Sequence, residues 1–251
     1  MRAQSDLGAC EETPSTARDF GKRERFAERK HKKVFQHILH TLDRMTDNEY
    51  AGSQAYSVGF CLLNSCNFGL PQNRARVYIV VVRLCGRHGQ DVTMPWPREG
   101  LRPLKSQPSL EAIFDEGPTL ATYSNYPMPA TNSRTNVRNI TAALTAVNAK
   151  AQRLHVNPAT IPVIVDVGSS KPHWTIGKCQ CVTSSRAASH GLWSLQHGRP
   201  LTASELMRLQ GFNPDQVRID GIFKPQLCHA LGNSFSVPVF GRVLQQALKI
   251  V

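Results

Sequence analysis

The sequence has no long hydrophobic run. None of its 251 residues lies in a stretch approaching the roughly 18 consecutive apolar residues that a membrane-spanning helix needs. There is no apolar core behind Met1-Arg2-Ala3-Gln4-Ser5-Asp6, so a secretory signal is not expected. Cysteine is scattered: Cys10, Cys61, Cys66, Cys85, Cys179, Cys181 and Cys228 make an odd number with no C-x-x-C pair. Such spacing argues against a disulfide framework and against structural zinc, so no metal-ligand set is expected. Three of the cysteines sit in apolar runs and read as small core residues, which suits a reducing, intracellular compartment, the nucleus in a eukaryote. Acidic residues are also few, 18 Asp and Glu against 30 Lys and Arg, for a formal net charge of +12. That excess calls for an anionic partner, nucleic acid first. A hydrophobic content of 41% is enough for a buried core.

Residues 1–33 differ from the rest. Arg18, Lys22, Arg23, Arg25, Arg29, Lys30, Lys32 and Lys33 crowd a segment with few apolar residues, which predicts a basic, flexible arm suited to phosphates or to a localisation signal. Val34, Phe35, Ile38, Leu39, Leu42 and Met45 then recur at helical spacing. Two runs rich in β-branched and aromatic residues, 56–63 and 76–83, predict strands joined by a loop through Asn64–Pro71. From 84 to 198 the pattern weakens into frequent proline and glycine, with Val163–Val167 the clearest strand; this reads as an irregular, loop-rich insert outside the main core. Periodicity returns at Leu201. Thr202-Ala203-Ser204-Glu205 is a capping box with Leu201 and Leu206 at staple spacing and Gly211 as a C-terminal stop. A last helix opens near Ser236-Val237-Pro238 with a face of Phe240, Leu244, Ala247 and Leu248.

Two blocks carry chemistry. In Phe68-Gly69-Leu70-Pro71-Gln72-Asn73-Arg74-Ala75-Arg76-Val77-Tyr78-Ile79, residues two apart on a strand share a face, so Arg74 and Arg76 can point together toward a phosphate or a base oxygen. The block resembles the Q-x-R-x-R motif of the DNA cytosine-5 methyltransferases. Further on, Arg199-Pro200-Leu201-Thr202, Glu205, Arg208-Leu209-Gln210-Gly211-Phe212, Gly232-Asn233-Ser234 and Val237-Pro238 are similar to the last two motifs of that family, in order. The resemblance implies that Gln72 and Arg74 order the active-site loop, that Arg76 contacts a flipped cytosine, and that Asn233 and Ser234 border the S-adenosylmethionine pocket. Gly232-Asn233-Ser234 is read as preceding a helix, whose free amides favour negative charge. Cys179–Arg186 resembles the end of the family's target-recognition region. Cys181-Val182 stands where a threonine-leucine pair usually faces DNA, which leaves Thr183, Ser184 and Arg186 as DNA contacts.

The same resemblance shows what this sequence does not contain. C5 methylation uses a cysteine thiolate to attack C6 and a glutamate at the ring nitrogen, after the base has been flipped out. The family carries them in Pro-Cys-Gln and Glu-Asn-Val blocks, and neither occurs here. Cys179-Gln180 follows Lys178 rather than proline, and Val163–Gly168 imitates a cofactor strand without the second glycine of its loop; both read as decoys. The expected architecture is α/β: the C-terminal portion of a Rossmann-like sheet in 34–83 and 199–251, with a recognition insert at 84–198. The expected role is DNA cytosine C5 methylation as a fragment or subunit, inactive alone and completed by an N-terminal half. The rival is a non-catalytic DNA-binding module, and a truncated gene would look like either.

Overall fold

The computed structural model describes residues 32–46, 55–83, 133–248 and most of 101–128. The basic arm lies outside them except for Lys32 and Lys33. The chain divides into two compact units, residues 1–59 with 79–95 and residues 60–78 with 96–251.

In the first unit, residues 32–43 form helix α1. Phe35, Leu39 and Leu42 are half-buried at helical spacing, whereas Val34, Ile38 and Met45 stay exposed. The helical periodicity is therefore right, but only a narrow line of it is shielded. The two expected strands are present as a two-stranded sheet, β1 (Tyr56–Asn64) and β2 (Ala75–Arg83), whose residues are divided between the two units, 60–78 belonging to the second. Their connection winds through a 3-10 turn at Ser65–Phe68, which Gly69 ends at φ 88°, where its N–H returns to the Ser65 carbonyl. Glycine adopts that left-handed backbone conformation without steric cost.

The second unit is built around a four-stranded antiparallel sheet in the order β4-β3-β5-β6, with β3 at Val163–Asp166, β4 at Trp174–Ile176, β5 at Leu192–Ser194 and β6 at Arg199–Pro200. Side chains alternate across a strand, so β3 serves two cores. Val163 and Val165 join Trp193, Leu195 and the Ile140–Ala143–Val147–Ala151 stripe of helix α2 (Arg134–Leu154). Ile164 points the other way, into a cluster with Cys179, Val182, Leu206, Leu209, Cys228 and Leu231.

This corrects the reading of 84–198 as an irregular insert outside the core. It holds a 21-residue helix and the centre of both clusters. The Val163–Gly168 segment has antiparallel neighbours, and the next element is β4 rather than a helix.

Among the described residues of the unit, four further α-helices follow: α3 (Ser184–Ala188), α4 (Ala203–Gln210), α5 (Lys224–Asn233) and α6 (Val237–Ala247). The capping box at Thr202 and Glu205 is formed in both directions, and Gly211 closes α4 at φ 85°. Leu201 and Leu206 are both buried. Helix α6 does open with Pro238 in its first turn, but its inward face is Val239 and Val243. Phe240, Leu244 and Leu248 are exposed. The helix is apolar on both sides, so spacing alone could not say which side meets the protein. Among the described residues no helix is long and apolar enough to cross a membrane.

Candidate functional site

Arg74 sits one residue before β2 and is only 4% exposed. Its guanidinium donates to three backbone carbonyls from two distant segments: Val182 at 2.6 Å, Gly232 at 3.2 Å and Ser234 at 2.5 Å. The last two belong to the end of α5, where helix carbonyls have no intrahelical partner and the dipole is negative. Arg74 is thus a C-terminal cap supplied from far away in the chain. Its own backbone is fixed as well: the N–H donates to Asn64 Oδ1 at 2.9 Å, and the carbonyl accepts from Ser65 N–H at 3.1 Å. Burial lowers the guanidinium's affinity for its proton, although the nearby Cys181 sulfur opposes that.

Beside this tie, the segment 71–73 runs parallel to Cys179. Cys179 N–H donates to Pro71 O at 2.7 Å and Asn73 N–H to Cys179 O at 2.8 Å. Gln72 is fully buried between them, and neither polar atom of its carboxamide has a hydrogen-bond partner. Cys179 is also fully buried, and desolvation pushes its thiol far above the ordinary range. A thiol in that state is a poor nucleophile, which agrees with reading Cys179-Gln180 as a decoy.

Arg76 behaves oppositely. It is exposed, and its guanidinium donates to Ala75 O at 2.8 Å and to Cys181 Sγ at 3.2 Å. Arg74 donates to the same sulfur at 3.5 Å. The phenol of Tyr78 lies within their field: burial raises its ionisation above the usual range while Arg74 and Arg76 draw it back. The two arginines do share a locality, as strand spacing predicts, but one is spent on internal carbonyls and the other faces solvent.

Gly232-Asn233-Ser234 needs correction. Gly232 and Asn233 close α5, so the dipole at them is that of a C-terminus, although the block does stand ahead of α6, which opens at Val237. A side chain at Gly232 would meet the backbone of α3, with Ser184 N at 2.2 Å and Ser184 Cα at 2.3 Å. The glycine is there so that α3 and α5 can touch backbone to backbone. Ser234 is committed, its hydroxyl donating to Leu231 O at 2.8 Å and its carbonyl accepting from Arg74. Asn233 is exposed, with its carboxamide 3.4 Å from His229 Nδ1.

The three expected DNA contacts have structural duties. Thr183 caps α3 by accepting from Arg186 N–H at 3.4 Å. Ser184 offers its backbone to Gly232. Arg186 is paired with Asp166 at 3.1 Å. No sequence signal pointed to the acceptors Val182, Gly232 and Ser234, because they are main-chain carbonyls. A groove of about 310 Å³ lies elsewhere, lined by Glu111, Thr119, Leu120, Asn157, Thr160 and Gln196 among others, and includes none of the expected site residues.

Against known proteins, residues 24–249 match the family described as C-5 cytosine-specific DNA methylase. No curated protein matches the sequence. Among solved structures, the chain is similar to the Entamoeba histolytica methyltransferase EhMeth at 15% identity and a TM-score of 0.48, covering 86% of this chain and 58% of that one. It is also similar to the S. pombe Dnmt2 methyltransferase at 15% identity and a TM-score of 0.44, covering 89% and 64%. A Spodoptera frugiperda DNMT2 mutant follows at 16% identity and a TM-score of 0.41, covering 77% and 58%. The chain therefore spans 58% to 64% of the length of these structures. With TM-scores under 0.5, the likenesses bear on neither activity nor substrate.

Proposed function

This chain belongs to the C-5 cytosine-specific DNA methylases, and on that premise we propose that it is the nucleic-acid-facing portion of an S-adenosylmethionine-dependent cytosine-5 methyltransferase, with Arg76 as its contact to the extruded base. The observation that supports this is the split between two neighbouring arginines. Arg74 is buried and holds the start of β2 to Val182 and to the end of α5. That fixes the base of Arg76, whose guanidinium is left exposed on an anchored strand. A guanidinium so placed donates to the oxygen of a flipped pyrimidine or to a phosphate.

S-adenosylmethionine supplies the methyl group when bound, and the residues here fit it only in part. Asn233 has an exposed carboxamide to offer, whereas both oxygens of Ser234 are occupied within the protein. No step through the methyl donor follows from these two residues. Nor do the 251 residues contain the Pro-Cys-Gln and Glu-Asn-Val blocks that supply the family's nucleophile and acid. Alone, the chain transfers no methyl; with a polypeptide bearing those blocks, it contributes Arg76 and Asn233.

The test is transfer of labelled methyl from S-adenosylmethionine to duplex DNA, by the chain alone and mixed with the N-terminal half of a related methyltransferase. Activity only in the mixture, reduced by Arg76→Ala, is expected. Transfer by the chain alone that Cys179→Ala abolishes refutes the inactivity, and an active mixture indifferent to Arg76→Ala refutes the assigned contact. The second reading, a DNA-binding module without catalysis, is favoured by the net charge of +12. It prevails if DNA is bound and no related half ever restores transfer.

A further inference from the structure

The geometry points to a binding site for a guanidinium group, that of an arginine-type ligand, in the groove lined by Glu111, Thr160 and Gln196. The proposal does not rest on the methyltransferase reading. Gln196 lines the groove from its buried side and is only 6% exposed. Its carboxamide Nε2 donates to Ala159 O at 3.3 Å, which leaves Oε1 buried and without a hydrogen-bond partner. A buried amide oxygen left unpaired is costly and uncommon. This one borders a groove of about 310 Å³, at the lower end of the roughly 300–1,000 Å³ that small-molecule sites occupy.

The walls are tied in place. Leu120 N–H donates to Gln196 O at 2.8 Å, and Asn157 Nδ2 donates across to Ala121 O at 3.0 Å. Asn157 Oδ1 in turn accepts from Ala159 N–H at 3.0 Å and so caps the short turn Pro158–Thr160. Thr160 Oγ1 donates to Asn157 O at 2.8 Å. That hydroxyl proton is spent inside the wall, and the oxygen remains as an acceptor. Glu111 adds a carboxylate, which takes the Ser109 hydroxyl at 3.4 Å. Asp115, Asp166 and Glu205 are each paired with an arginine; among the described residues Glu111 has no such cation.

Gln196, Thr160 and Glu111 thus present acceptors, one of them charged, and the residues lining the groove include no Lys, Arg or His. The ligand they select is a cation with several N–H donors, the opposite sign to the partner that the chain's net charge of +12 calls for. An ammonium is a compact, strongly hydrated point charge, whereas a guanidinium is planar, weakly hydrated and carries five donors in a fixed fork. Leu120, Ala121 and Ala159 supply apolar surface for its faces and stem. One N–H then satisfies Gln196 Oε1, and the charge faces Glu111 in the charge-assisted bonding that such groups favour. A free arginine derivative and an arginine side chain of a peptide share this chemistry.

The experiment titrates the full, isotope-labelled chain with N-acetylarginine amide and follows the amide resonances of Leu120 and Ala159, whose backbones are bonded to Gln196. Saturating shifts at both are expected, with a Kd on the order of a millimolar for so small a ligand. N-acetylcitrulline amide keeps the planar donors without the charge, and N-acetyllysine amide keeps the charge without the fork; each should bind several-fold more weakly. Gln196→Met should weaken the arginine amide at least about tenfold, as loss of one charge-assisted hydrogen bond implies. Glu111→Gln should weaken it by about two- to fivefold, the effect of an exposed charge. Should Gln196→Met not fold, the three ligands on the unaltered chain and the surface variant Glu111→Gln decide. A capped glycyl-arginyl-glycine peptide separates the sources: several-fold tighter binding than the amide marks a peptide ligand, equal binding a free one, and either supports the site. No saturating shift at Leu120 and Ala159 overturns the proposal. So does equal binding of the citrulline or lysine amide, or a Kd indifferent to both substitutions.

Discussion

Replacing Arg74 by alanine removes a buried cation and the three carbonyl contacts at 2.6, 3.2 and 2.5 Å. A hydrogen bond from a charged donor contributes about 1.5–3 kcal/mol, and three made by one group are not additive, because each depends on the same anchored side chain. The carbonyls of Gly232 and Ser234 are at a helix end and can be rehydrated in part, which lowers the cost. Val182 is fully buried, so its carbonyl is the one left unsatisfied, at roughly 1–3 kcal/mol. The expected loss is about 3–5 kcal/mol, a large share of a typical domain's 5–15 kcal/mol. Arg74→Lys keeps the charge but presents three donors from one point rather than a planar fork, and should lose about half as much. Urea unfolding followed through Trp174 and Trp193 fluorescence, with hydrogen exchange at the end of α5, measures both. If Arg74→Ala shifts stability by less than about 0.5 kcal/mol, the range of an ordinary surface substitution, Arg74 is not the tie described.

Gly232→Ala should be comparably severe, about 2–4 kcal/mol by urea unfolding, since the new methyl meets Ser184 backbone at 2.2 Å and backbone cannot swing aside. Glu205 is fully buried and accepts from Arg199 twice, from Thr202 N–H and from Asp115 N–H; Glu205→Ala strands Arg199 and should cost about 3–5 kcal/mol in the same assay. Asp115 titrates below the ordinary carboxylate range: burial raises it, but hydrogen bonds from Thr202 and Arg208, with the charges of Arg208 and Arg199, outweigh that. Its folded pKa being depressed, its contribution is present above the unfolded value and is lost as pH falls through the folded one. Unfolding midpoints over about four pH units, from about pH 6 down to about pH 2, span the usual carboxylate range and should therefore fall less steeply in Asp115→Asn than in the native chain. DNA affinity should fall by about 10³ between 50 and 200 mM salt if roughly six phosphates are neutralised, and a salt-independent Kd would refute phosphate-dominated binding.

The sequence was readable where local rules decide the outcome. The capping box at Thr202 and Glu205 and the stop at Gly211 depend on neighbours a few residues apart, and all three appear as expected. Strands β1 and β2 announce themselves by β-branched runs. Helix α2 was missed for a physical reason. Its buried line is Asn139, Ile140, Ala143, Val147 and Ala151, small residues and a polar one in place of a leucine stripe. Its ends carry no conventional signal either: Ser133 makes no side-chain cap, and His155 rather than glycine takes the left-handed position at φ 52°. Asn139 compensates for its burial by donating to the carbonyls of Asp166, Val167 and Ser169, a partnership the sequence does not advertise. At the site, the residue types were legible and their duties were not. Nothing in Gln72-Asn73-Arg74-Ala75-Arg76 says which arginine is turned inward, because the acceptors are backbone carbonyls of a distant helix end.

The separation between Arg74 and those acceptors sets an order of events during synthesis. Ser234 lies 160 residues after Arg74. At the roughly 5–20 residues per second of translation, the guanidinium has been made about 8–30 s before its last carbonyl partner exists. Strands β1 and β2 can pair in that interval, since their contacts are local and such pairing takes microseconds. The turn that carries Gln72 and Arg74 has no such local reward: its cation has to stay hydrated until α3 and α5 have met across Gly232. Docking of the newly made C-terminal helices is then the step that draws the arginine inward, and the anchored form of Arg76 is a late product of folding rather than an early one.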